Sequence, residues 1–445
     1  MKYEESKKNM VHRGNNMKNK FLMTIFFSLA ALLTITLTGC NKSKKAKNIE
    51  KPFVPSLPTD TKASVKVVGN YSNFEAIEAE FDRFNQIYPD VELSFSFLDN
   101  YKSVILPSLY SDEAPDIYFI FAWMIGMPRY EALFEIAENL SDPKLNINLN
   151  CIYEENIMKT PDGKTPMLPM FSQGYGMLVN EDLFKKEKLS VPQTYDELLD
   201  VCQKLKAAGY KSPMMGYYDN DSGWCASISY PYAHYLVKDN QETLEAINKL
   251  EPSAGEYLRP LYNLVDELVK TGCINPAYCQ EEISDNYNKV ILRFFEGDVP
   301  MMLVTADVVS GTKKREQKSE YFQQFPFTYR MYPTPVTKKG GIFINNSGVC
   351  LAVNSKSNQL DITNEFIRFL AQTKELNNLA NIKRLIPITK NFSSDDFFAP
   401  MEKGEKIYAN TLGILDDPLK IIRTNCNKIA NGKMTVDQAV KEFGK

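Results

Sequence analysis

Histidine is almost missing from this chain. There are two in 445 residues, His12 and His234. An imidazole-activated serine or cysteine nucleophile would therefore rest on His234, whose neighbours Tyr232, Tyr235 and Leu236 read as a packed core. The GxSxG and HExxH patterns of hydrolases are absent. Gly163-Lys164-Thr165 ends like a phosphate-binding loop, but Met158 stands where its first glycine is required. Asp219 to Trp224 begins like a calcium loop, yet Gly223 falls one place early and no glutamate follows at the closing position. No CxxC occurs, which argues against a zinc ribbon or a thioredoxin-type pair. Neither a cofactor nor a metal is expected. No repeat of fixed period is present. There is no excess of basic residues either: the formal charge is −3, so nucleic acid is not an expected partner.

Long apolar runs are equally scarce, with one exception. After Lys18 and Lys20 the chain is apolar from Phe21 to Leu37, then reads Leu37-Thr38-Gly39-Cys40. A basic start, an apolar stretch and small residues before a cleavage point form a secretory signal. Cysteine placed directly after Leu-Thr-Gly resembles the lipobox of bacterial lipoproteins. That resemblance implies cleavage after residue 39 and a lipid on Cys40. Stable anchoring takes more than one acyl chain, so localisation on the outer face of the cell membrane is expected. Residues 40–61, rich in Lys, Ser and Pro, read as a linker. Lys42, Lys44, Lys45 and Lys47 would lie near headgroups.

Removal of the leader leaves 406 residues, too many for one ordinary core, so two lobes are expected. The leader carries a net +4, which leaves the remainder at −7. Seven cysteines remain: Cys151, Cys202, Cys225, Cys273, Cys279, Cys350 and Cys426. An odd number outside the cell means at least one free thiol or an intermolecular bond. Cys273 and Cys279 are close enough in sequence to bridge.

Elements alternate from residue 62 on. Val65, Val67 and Val68 form a β-rich run. Ser72 to Glu75 is spaced as a capping box, followed by Phe74, Ile77, Phe81 and Phe84 at helical spacing. Tyr88-Pro89 ends that helix. Val91, Leu93, Phe95 and Phe97 alternate as a strand. A helix from Tyr101 to Tyr110 leads to a buried strand over Pro115–Ile120. This βαβαβ order predicts a parallel sheet with helices on both faces. Later, Thr194–Glu197 and Thr435–Gln438 are spaced as capping boxes. Val299–Val304 and Ile342–Val353 read as strand. Leu258–Lys270 and Thr363–Ala371 read as helix.

Five segments in this order resemble the extracellular solute-binding proteins of ABC transporters, the maltose-binding-protein-like family 1. They are FDRFNQIYPDVEL with APDI; MLPMFSQGYGMLVNEDLF with VPQTYDEL and KLKAAG; FFEGDVPMML; LAVNSKSN with FIRFL and LIPI; and NGKMTVDQAVKEF. The resemblance implies an α/β fold of the two-lobe periplasmic-binding-protein type II class, with hinge strands crossing between lobes and a ligand cleft between them. Carried over, lobe one is 62–170 and 337–390, and lobe two is 173–331 and 391–445. The hinge strands fall near Leu168–Gln173 and Met331–Val336. A small-molecule ligand, of which a sugar is the first choice, would be held by a monomer and passed to permease subunits. No enzymatic activity is expected.

Sugar rings pack their C–H faces on aromatic rings and need carboxylate and amide partners for their hydroxyls. The candidate contacts follow from that. Trp123 comes after the Pro115 strand, at the edge where open α/β sheets bind ligands. Tyr217, Tyr218, Asp219, Asp221 and Trp224 share one polar loop. Asn70 and Tyr71 follow the first strand. Gln173 and Tyr175 lie at the first crossing. Asp307 stands where many family members carry an aromatic residue, a departure that keeps a cationic or peptide-like solute open. Two further readings stay open. One is a sensor that reports its ligand to a kinase. The other is a surface glycosidase, which needs only two placed carboxylates.

Overall fold

The computed structural model describes residues 52–71, 74–125, 127–216, 223–281, 287–390, 396–407 and 413–445. The leader and Cys40 lie outside them, as do Ser72, Tyr217, Tyr218, Asp219 and Asp221. Among the described residues no helix is long and apolar enough to cross a membrane.

Among the described residues twelve strands are formed: β1 (Ala63–Gly69), β2 (Val91–Phe97), β3 (Ile117–Phe121), β4 (Leu168–Pro169), β5 (Ser172–Asn180), β6 (Met214–Met215), β7 (Met301–Thr305), β8 (Tyr329–Tyr332), β9 (Thr334–Thr337), β10 (Gly340–Ser347), β11 (Val349–Val353) and β12 (Glu405–Ile407). They divide into two sheets. The first has the order β2-β1-β3-β11-β4, and the second runs β12-β10-β5-β7-β6, with β8 on β5 and β9 on β10. Each sheet has its own apolar core, and helices pack around both.

The expected βαβαβ start is present. β1 pairs parallel with β2 on one side and with β3 on the other. Every residue of β3 (IYFIF) and of β11 (VCLAV) is buried, as continuous apolar strands covered on both faces should be. β2 lies at the sheet edge, and its sequence VELSFSF is mostly uncovered. β11 runs antiparallel to β3 because it returns from the other sheet rather than through a local crossover.

The first crossing lies where the sequence places it. β4 ends at Pro169 in the first sheet and β5 begins at Ser172 in the second. The second crossing differs from the expected Met331–Val336. β8 and β9 pair with β5 and β10, so the chain stays in the second sheet until Ser347. It changes sheets at Gly348, and Val349 already pairs with Phe121. The run Ile342–Val353, read as strand, is therefore two strands in two sheets. A further contact between them comes near residue 386, where the Ile386 carbonyl accepts from the Ser172 amide at 2.8 Å.

The linker is shorter than residues 40–61. Phe53 packs edge-on against Phe369 at 5.4 Å, and the Arg368 guanidinium lies 4.3 Å from the Phe53 ring centre. Ser56 donates to Glu365 from both its amide (2.8 Å) and its hydroxyl (2.6 Å). Residues 53–57 thus form a strap across helix Leu360–Leu370 of the first lobe.

Two of the predicted caps follow their spacing to different degrees. Thr435 and Gln438 form the full reciprocal box. Thr194 accepts from Glu197 N, but the Glu197 carboxylate takes its bond from Gln193 N at 2.7 Å instead of closing the box. The helix at Glu75 starts from Phe74 with no side-chain cap.

Candidate functional site

In an open α/β sheet, ligands bind beyond the carboxyl ends of the strands, where the strand order reverses. Here the reversal lies between β1 and β3, and both strands end beside the crossings. Asn70, the first residue past β1, is exposed. Tyr71 is half-buried, edge-on to Phe74 (5.2 Å) and Phe119 (5.6 Å). Lys383 Nζ sits 5.5 Å from the Tyr71 ring centre, and burial lowers the pKa of that ammonium below the usual lysine range.

Trp123 lies in the 3-10 turn Ala122–Met124 that directly follows β3. It is 40% exposed, among the few large apolar side chains in the open. Its position is fixed from three sides. It stacks on Phe121 at 6.0 Å, meets Tyr130 edge-on at 5.5 Å, and carries Lys102 Nζ 4.8 Å from its ring centre. A rigid, partly open indole costs little side-chain entropy on contact with a ligand.

The second sheet ends beside the same crossings. Tyr175 on β5 lies between Ile344 of β10 and Thr305 of β7. Its half-buried ring stacks on Tyr230 at 4.9 Å and 25°. Gln173 is two residues nearer the crossing, paired with Asn346. Asp307 lies in the short helix Ala306–Ser310 that begins as β7 ends, so the backbone brings it to the edge occupied by Tyr175. The loop holding Tyr217, Tyr218, Asp219 and Asp221 lies outside the described residues. It starts from Gly216 after β6, a strand parallel to β7, and hence from this edge.

Trp224 does not join the rim. It opens helix Gly223–Val237, is 2% exposed, and packs into the second core. Its Cβ fills the space beside Gly216, where an added Cβ would come within 2.4 Å. The polar loop preceding it gave the opposite expectation. The apolar sequence that follows, Cys225 to Leu236, decides its place by packing the helix inward.

His234 is also a core residue. It is buried, its Nδ1–H donates to the Tyr230 carbonyl at 2.8 Å, and burial pushes its pKa down to about 4. The neutral imidazole lies beneath Tyr230, 4.6 Å between rings, and packs against the tyrosine stack.

Three residues escaped the sequence reading. Tyr230 is hidden in an apolar helix, and only the fold shows its ring against Tyr175. Lys102 stands one helix away from Trp123. Arg384 ends helix Thr373–Lys383 in the left-handed conformation (φ 51°) and reaches from the first lobe to the second. Its Nη1 donates to Thr312 Oγ1 (3.0 Å), Glu316 Oε1 (2.9 Å) and Tyr329 OH (2.9 Å). Its guanidinium lies 4.8 Å from the Phe397 ring centre. The signal for it was its place directly before Leu385-Ile386-Pro387-Ile388.

Among the described residues the seven cysteines are free and buried, including Cys273 and Cys279. These two turn away from each other: Cys279 lies near Gly216 and Cys225, while Cys273 faces Cys202.

Residues 69–375 match the family model of the bacterial extracellular solute-binding proteins. The melibiose/raffinose/stachyose-binding protein MelE of Bacillus subtilis (strain 168) is 22% identical over 406 residues, covering 86% of this chain and 84% of that protein. Among solved structures, a Bacillus licheniformis sugar transporter in complex with stachyose is 17% identical with a TM-score of 0.59, covering 86% of this chain and 98% of that one. The GacH receptor of Streptomyces glaucescens, known unliganded and with acarbose, is 15% identical with a TM-score of 0.63, covering 86% and 97%. These two share the two-domain fold. With more than half its length matched, the chain belongs to the bacterial extracellular solute-binding protein family.

Proposed function

We propose that this protein is a lipid-anchored receptor on the outer face of the cell membrane. It captures an oligosaccharide and delivers it, unchanged, to the permease of an ABC transporter. The observation that carries the sugar assignment is the pairing of two aromatic surfaces at the strand edges beside the crossings. Trp123 is held half-open on the first sheet, and the Tyr175–Tyr230 stack lies on the second. Flat rings suit the C–H faces of pyranoses, and polar residues nearby suit their hydroxyls. Asn70 and Tyr71 belong to the first wall of this site. Gln173, Asp307 and the loop of Tyr217, Tyr218, Asp219 and Asp221 belong to the second. The sugars named for MelE and for the stachyose complex point the same way.

The anchor rests on Leu37-Thr38-Gly39-Cys40 and on the strap that fixes the chain again from Phe53. Residues 41–52 would then be the tether. At an extended reach of roughly 3.3–3.6 Å per residue, it holds the lobes within a few nanometres of the membrane.

Thermal unfolding with melibiose, raffinose and stachyose, alongside amino acids, polyamines and peptides, tests the reading. A true ligand at 100 times its dissociation constant stabilises the fold by about 2.7 kcal/mol. A shift with the galactose-containing sugars, recovered intact, is the expected result. A shift confined to cationic ligands would replace the sugar assignment, with Asp307 as its anchor. Cleavage of the sugar would make the protein a hydrolase.

A further inference from the structure

Cys202 lies on the inward face of helix Tyr195–Ala207, with Leu198, Val201 and Leu205. Cys273 follows helix Gly255–Lys270 after a turn at Gly272, whose φ is +72°. Both thiols are fully buried in the second core. Two independent contacts fix the helix against the turn. Lys206, one helical turn past Cys202, donates Nζ to the Thr271 carbonyl at 2.9 Å. The Cys273 carbonyl accepts from Met214 N at 2.9 Å, which ties the turn to β6. Within this frame the Cys202 and Cys273 thiols face each other, and the Thr271 hydroxyl approaches the Cys273 sulfur at 3.3 Å. The contact with Cys202 pulls the Cys273 thiol below its usual range against burial, helped by Thr271 and the Lys206 charge. The other thiols turn elsewhere. Cys151 goes to the Asn148 and Ala371 carbonyls. Cys350 goes to the Gly348 carbonyl. Cys225, Cys279 and Cys426 lie near one another elsewhere in the second core.

We propose that Cys202 and Cys273 are a disulfide pair, closed in an oxidising medium to staple helix Tyr195–Ala207 to the turn after helix Gly255–Lys270. The family is extracellular, and disulfides persist in such compartments. Because the folded core seals both sulfurs, the bridge forms while the helix is still undocked, and the folded packing then holds it. The oxidant is a disulfide, R–S–S–R. The Cys273 thiolate attacks one of its sulfurs and releases RS⁻. The Cys202 thiolate then attacks the Cys273 sulfur of the mixed disulfide and releases the second RS⁻. The two thiol protons end on the two released thiolates. The protein loses two electrons and the oxidant gains them. The bridge spans about 70 residues of chain, a loop length at which restriction of the unfolded state is large.

The full-length chain, expressed with its own leader and extracted from membranes, is unfolded in the presence of N-ethylmaleimide and mapped without reduction. A second sample is refolded in detergent with a mixture of oxidised and reduced glutathione before mapping. The expected result is one cross-linked peptide pair carrying Cys202 and Cys273, lighter by two hydrogens and lost on reduction. The thermal midpoint of the oxidised chain should exceed that of the reduced chain, and Cys202→Ser should abolish the difference. Full alkylation of Cys202 and Cys273 in both samples, or a linkage joining either to another cysteine, would overturn the proposal. If Cys202→Ser fails to fold, the peptide map of the unsubstituted chain decides alone.

Discussion

The two tryptophans sit in opposite environments, and substitution should separate binding from stability. Trp123 is 40% exposed and Trp224 is 2% exposed. Trp123→Ala is expected to raise the dissociation constant for the sugar roughly tenfold, about 1.4 kcal/mol, because exposed, rigid aromatics act as binding anchors. Its thermal midpoint should move little. Trp224→Ala should instead cost about 3–5 kcal/mol of stability through the cavity it leaves, read from denaturant unfolding. The reverse pattern would place Trp224, not Trp123, at the ligand. His234 adds a pH dependence. Its folded pKa of about 4 lies below the usual histidine value of 6.5, so the unfolded chain takes up a proton that the folded chain refuses. Above pH 6.5 neither form binds it and nothing is lost. As the pH falls from 6.5 towards 4, the folded state should lose on the order of 3 kcal/mol relative to an otherwise identical chain without the imidazole. Unfolding curves of the natural chain and of His234→Gln across that range should therefore converge as the pH falls. Parallel curves would mean that His234 titrates normally.

Elements were legible where local pattern and burial agree. The alternation in Val91–Phe97, the apolar run ending at Ile120 and the full cap at Thr435 all follow from neighbours in sequence. What was not legible depends on distant partners. Ile342–Val353 reads as strand, but only the pairing of Ser347 with Ser172 and of Val349 with Phe121 shows that it splits at Gly348. Trp123 could be placed because its strand was recognised. Tyr230 could not, since nothing in an apolar helix marks the ring that stacks on Tyr175. The strap at residues 53–57 was missed for the same reason: a short Pro-rich segment gains order only from helix Leu360–Leu370. Glu365 is its keystone. Burial would push this carboxyl up, but bonds from Arg368, Ser56 and Tyr88 hold it below its usual range, and its ring partner Tyr88 is pushed up to about 12. Glu365→Ala leaves Arg368 buried without its carboxylate, and should cost about 3 kcal/mol. Limited proteolysis should then cut between residues 53 and 62, where the strap should protect the natural chain. Unchanged protection would show that the strap holds through Phe53 alone.

At the scale of the molecule, a binding protein works by the free-energy difference between arrangements of its two lobes, and a ligand shifts that balance only through contacts to both. Arg384 is a charged contact between them that requires no ligand. It extends the first lobe's helix Thr373–Lys383 into a pocket of Thr312, Glu316, Tyr329 and Phe397, and the ion pair with Glu316 is largely shielded, with the two side chains 18% and 24% exposed. Removing one partner would strand the other, so the clean test replaces both, Arg384→Met with Glu316→Gln, which leaves no unpaired charge. If this contact sets the resting arrangement, small-angle scattering of the ligand-free double variant should give a larger radius of gyration than the natural chain. Saturating sugar should bring the two back together. The apparent dissociation constant should rise in proportion to the fraction of molecules no longer competent to bind. An unchanged radius with unchanged affinity would assign the resting arrangement to the strand crossings at Met170–Phe171 and Gly348 and leave Arg384 as a packing residue of the hinge.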